Sequence, residues 1–63
     1  MLDEKSRSFA KACIQNGIED LNTPANREKA KLIAKQNHLD DYENIQYLQK
    51  TINEYTAEVK AKE

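Results

Sequence analysis

The chain reads as all-α, a small three-helix arrangement with two short helices followed by a long one. Three observations carry that reading. Apolar residues recur at helical spacing, most cleanly at Ile45, Leu48, Ile52, Tyr55 and Val59, where steps of three and four alternate. The chain holds one Gly and one Pro, both in the short stretch "GIEDLNTP", and shows no alternating β-branched pattern. Recognisable start and stop residues bracket the periodic segments.

The first helix is expected over about residues 3–16. Asp3 is a suitable N-cap, and Leu2, Phe9, Ala10, Cys13 and Ile14 share a broad apolar face. Gly17 suits the left-handed position just past the helix end. Ile18 then stands where a Schellman motif makes its hydrophobic contact, here back onto Cys13. Leu21 is expected to plug the edge of the core from the connecting loop.

The second helix, over about residues 24–37, begins with Thr23 as N-cap and Pro24 at the first helical position. Ala25, Leu32 and Ile33 are read as one side of it. Ala30 and Ala34 form a smooth flank that another helix can approach closely. The third helix is expected over about residues 41–61. Asp40 and Glu43 have the spacing of a capping box, and acids in a first turn complement the helix dipole. The whole of 1–63 is one small domain, with no internal repeat or linker.

Length gives the long helix a meaning. At ~1.5 Å per residue the third helix spans roughly 30 Å and each of the others roughly 20 Å. Ile45 and Leu48 fall under the first two helices. Ile52, Tyr55 and Val59 are expected beyond that cover, on a heptad-like, coiled-coil-like seam open to a second molecule. Tyr47 lies off the seam, either exposed for binding or capping the first helix from the side. A chain this short buries little surface and commonly leans on a partner subunit, which points to a homodimer.

Composition narrows the function. Net charge is −1 and pI about 5.8, so there is no global attraction to nucleic acid or an anionic membrane. A charged fraction of 33% and a mean hydropathy of −0.97 leave no apolar run for a membrane span. A single cysteine excludes an intrachain disulfide and fits a reducing cytoplasm. The chain opens on Met1 and is read as a complete short reading frame of the bacterial or phage kind.

No catalytic, metal or cofactor motif stands out. Cys13 sits on the apolar stripe of the first helix and is read as structural. His38, Asp40 and Asp41 lack the ligand number or spacing of a metal site. Glu54 and Glu58 lie one helical turn apart on a solvated face. No cofactor is expected, and the chain is read as non-enzymatic.

Charge is segregated along the chain. Residues 22–39 carry a net +3 and residues 40–63 a net −3. Arg27, Lys31 and Lys35 recur every four residues as a basic stripe, able to meet an acidic protein or phosphates. A helix-turn-helix fits poorly, because its recognition helix would open on Asp40, Asp41 and Glu43. The expectation is therefore a small cytoplasmic protein–protein interaction module (an adaptor, inhibitor or regulatory subunit). It would bind through Tyr47, Ile52, Tyr55 and Val59. The alternative is a small nucleic-acid-binding regulator using Arg27, Lys31 and Lys35.

Overall fold

The structure is a computed structural model and describes residues 2–62; Met1 and Glu63, the ends of the expected domain, lie outside the described residues. Among the described residues the chain forms three helices, α1 (Glu4–Gln15), α2 (Pro24–Gln36) and α3 (Ile45–Lys62), and no strand. No helix is long and apolar enough to cross a membrane among those residues.

The first two helices start where their side chains dictate. Asp3 Oδ1 accepts the Ser6 N–H at 2.8 Å, which satisfies one orphan donor of the first turn. That bond holds the Asp3 carboxyl below its ordinary 3.8. Thr23 Oγ1 accepts from the Asn26 N–H at 3.3 Å, and Pro24 needs no donor at the first position.

Both helices end in one device. After α1, the Ile18 N–H donates to Cys13 O at 2.8 Å and the Gly17 N–H to Ile14 O at 3.0 Å. After α2, the Leu39 N–H donates to Ala34 O at 3.0 Å and the His38 N–H to Lys35 O at 3.1 Å. These are two Schellman motifs. Each has an Asn at the C-cap whose side-chain amide reaches back four residues, Asn16 to Ala12 O and Asn37 to Ile33 O. Each returns the next apolar residue, Ile18 or Leu39, to the core. The left-handed position is taken by Gly17 (φ 76°) in the first and by His38 (φ 62°) in the second. The stretches "QNGI" and "QNHL" are thus a short repeat that was not expected.

The core joins Phe9, Ala10 and Cys13 of α1, Ala30 and Ala34 of α2, Leu48 and Ile52 of α3, and Ile18, Leu21 and Leu39 from the connections. Fully burying a side chain the size of Phe9, Leu48 or Ile52 stabilises by about 1.5–3 kcal/mol. α1 packs most extensively on α3. Arg7 Nη2 lies 2.7 Å from Glu58 Oε1, tying α1 to the later turns of α3. Both groups are partly exposed, so the pair contributes only ~0.2–1 kcal/mol.

Three expectations need correction. α3 begins at Ile45, not at residue 41, and Asp40 with Glu43 makes no capping box, because residues 40–43 form a turn. Asn44 caps instead: its Oδ1 accepts the Tyr47 N–H at 3.2 Å and its carbonyl the Leu48 N–H at 3.0 Å. Packing of Leu39 and Tyr42 against the core draws the chain inward first, and α3 starts after that detour.

On α2 the inward face is Ala30 and Ala34, with Ile33 at its edge, while Ala25 is exposed and Leu32 is 59% exposed. Small residues win that position because they let helices approach closely. Leu32 lies two residues from both alanines, on the far side of a helix turning 3.6 residues per turn.

Ile52 is 1% exposed, so it belongs to the interior of the single chain and not to an interface. The expectation compared helix lengths alone. In fact α3 is only 18 residues long, and α1 with Ile18 and Leu21 covers it beyond its middle. Tyr55 is half-buried against the core, and Val59 is 39% exposed.

Two stability predictions follow from the backbone and the core. A Cβ on Gly17 meets nothing within 4 Å, so any cost of substitution there is conformational. Gly17→Ala is expected to lose about 1 kcal/mol, and His38→Gly to gain about 0.5 kcal/mol, in urea unfolding at constant slope. A gain for the first or a loss for the second would contradict the two motifs. Ile52→Asp places a charge in the core and is expected to abolish the cooperative thermal transition of the chain. An unchanged melting temperature would return Ile52 to the surface.

Candidate protein-binding groove

The end of α1 and the second half of α3 do not meet flush. They leave an open groove of about 720 Å³ lined by Lys11 and Ile14 of α1 and by Tyr55, Thr56, Val59 and Lys60 of α3. Ile14 follows Cys13 and so sits at the edge of the buried stripe, half-exposed. Val59 continues the seam of Leu48, Ile52 and Tyr55 past the point where the core covers it. Thr56 turns its hydroxyl back to Ile52 O at 2.9 Å, so it offers the groove mainly its methyl.

Tyr55 is the hinge of this surface. Its inner part packs on the core, and its outer part also borders a smaller recess with Glu4, Arg7, Ser8 and Lys11. The groove therefore has an apolar floor from Ile14, Tyr55 and Val59 and lysines on both walls, with Glu19 as its acidic lining residue. That arrangement suits an apolar side chain flanked by acidic or neutral ones.

The expected interface residues separate. Tyr55 and Val59 come together in the groove. Ile52 lies beneath it in the core. Tyr47 lines a different, smaller recess beside Leu2, Asp3 and Ser6 at the start of α1, and packs partly on the core. The basic stripe also divides. Arg27 Nε donates to Leu21 O at 2.8 Å, which engages it in holding the first connection. Lys31 is half-buried and Lys35 exposed, and neither forms an ion pair among the described residues.

Cys13 is fully buried, and burial pushes its thiol up from 9.0 to about 11. His38 is exposed beyond α2, in the second Schellman motif, and the two residues belong to different chain reversals. Among the described residues no group of three or more His, Cys, Asp or Glu is placed to hold a metal ion.

Sequence reasoning had Tyr55 and Val59 but missed Lys11, Ile14 and Lys60 as their neighbours. Ile14 carried a signal, since it stands at the margin of the first apolar stripe. The two lysines carried none, because the lie of α1 on α3 decides which surface lysines border the groove. Comparison with protein-family models, with curated proteins and with solved structures finds no match to this chain.

The thiol provides a direct check of this packing. Cys13 is expected to resist a disulfide reagent in the native protein at pH 8 and to react at once in denaturant. Its pKa is raised by folding. Its contribution to stability is therefore complete below about 9 and falls away as pH rises toward 11. Rapid stoichiometric labelling of the native state would show that Cys13 is not enclosed.

Proposed function

We propose that the protein is a small non-enzymatic interaction module that binds a segment of another protein in the groove between α1 and α3. The observation that carries this reading is the convergence of Ile14, Tyr55 and Val59 on one concave surface with lysines on its walls. Apolar side chains left in a concavity with charged walls are the usual makings of a binding site for a side chain of a partner.

The reason for expecting a second copy on the α3 seam has weakened, since Ile52 is covered by its own chain. A stable dimer buries about 1,200–2,000 Å² in total, and Val59 with the outer part of Tyr55 is a small fraction of that. A different protein that supplies an inserted side chain needs less. The nucleic-acid reading rests on Arg27, Lys31 and Lys35, of which Arg27 gives its Nε–H to Leu21 O and Lys31 is half-buried.

A photo-reactive amino acid placed at Val59 in the producing cell tests the proposal, with the same label at exposed Gln46 as control. A discrete adduct from position 59 that is absent from position 46 is the expected result, and Tyr55→Ala should abolish it. A shared set of adducts from both positions, or none at 59, would overturn it. An adduct of twice the 7.3 kDa chain mass would identify the occupant as a second copy.

A further inference from the structure

We propose that the outward face of α2 is a second docking surface, and that its partner is an acidic amphipathic helix of another protein. This goes beyond the groove reading and rests on different residues. Leu32, at 59% exposure, is the most exposed large apolar side chain among the described residues. Ala25 precedes it by seven residues and is also exposed, so the two lie on one stripe of the helix. Lys29 and Lys35, three residues to either side of Leu32, are exposed and flank it within one turn. Neither makes an ion pair among the described residues.

An apolar stripe between lysines is half of a recognisable pairing. The complementary half is a helix with an apolar ridge and carboxylates along its margins. The local excess of charge supports that choice, because residues 22–39 carry net +3 in a chain of net −1.

Two other occupants fit less well. Phosphates would meet Leu32 at the centre of the face and Glu28 one turn before it. A second copy related by a twofold axis through Leu32 would bring Lys29 against Lys35 of its counterpart in an antiparallel pair. A parallel pair would set each lysine against itself. Both place like charges across the apolar contact.

The test uses the whole chain and a synthetic helical peptide with Leu along one face and Glu on both flanks. A second peptide has every Glu replaced by Lys, and a short DNA duplex serves as the third probe. Calorimetry is expected to show the acidic peptide binding about ten-fold or more tightly than the lysine peptide. Amide resonances of residues 25–36 should move. Leu32→Ser should weaken binding about ten-fold, and Lys29→Glu with Lys35→Glu should reverse the preference between peptides. All three positions are exposed, so unchanged melting curves will confirm that the variants fold. Val59→Lys, altered only in the other groove, should bind the acidic peptide like the wild type.

Equal binding of the two peptides would overturn the proposal. So would binding that ignores Leu32→Ser, a duplex bound more tightly than the acidic peptide, or a dimer in sedimentation that Leu32→Ser dissociates.

Discussion

The connection between α1 and α2 is held down at one residue, and the rest of the molecule is arranged around it. The Leu21 side chain is buried, yet its backbone belongs to no helix. Its N–H donates to Gln49 Oε1 at 2.7 Å, and its carbonyl accepts from Arg27 Nε at 2.8 Å. A buried backbone group without a partner costs about 1–3 kcal/mol, so the loop can lie on the core only because α2 and α3 each supply a side chain to it. Gln49 also donates to Glu19 O and to Asn53 Oδ1, which steadies its amide. With the loop in place, Ile18 and Leu21 join the interior. The core then extends along α3 far enough to enclose Ile52.

What was legible in the sequence is what depends on neighbouring residues. Asp3, the pair Thr23 and Pro24, and Gly17 announce helix ends through local stereochemistry, and the structure uses each of them as such. The fold class and the order of short, short and long helices follow from the same signals. Where two local solutions were equally good, tertiary packing decided. Asp40 and Asn44 are comparable caps, and burial of Leu39 and the packing of Tyr42 selected Asn44. Leu32 is more hydrophobic than Ala30 or Ala34, but size, not hydrophobicity, chose the inner face of α2. Hydrophobic ranking has no access to that criterion. The second chain reversal was written openly in "QNHL", but His in place of Gly hid it.

The candidate site shows the same division. Val59 and Tyr55 stand out because the period of α3 runs past its cover, which one helix alone can display. Their neighbours Lys11 and Ile14 come from α1, and no spacing in the sequence says how one helix lies on another. Arg27 shows a double use: the regular four-residue spacing of basic side chains marks a surface feature, and Arg27 is exposed, yet its Nε–H also holds the first connection through Leu21 O. The two proposed surfaces use different helices, the groove α1 and α3 and the outward face α2, so one molecule presents two separate faces.

The unequal chemistry of the two chain reversals has a consequence for how the molecule breathes. α1 ends in a relaxed glycine, and α2 ends in a histidine held at φ 62°. α2 is also anchored on the core chiefly by two alanines, which bury little apolar area, while α1 supplies Phe9 and α3 supplies Leu48 and Ile52. Regions with few buried apolar contacts open at lower free energy than the global transition. The amide protons of α2 should therefore exchange with solvent sooner than those of α1 or the middle of α3. A ligand laid along α2 would register first as slowed exchange in that one helix, before any change in the stability of the whole.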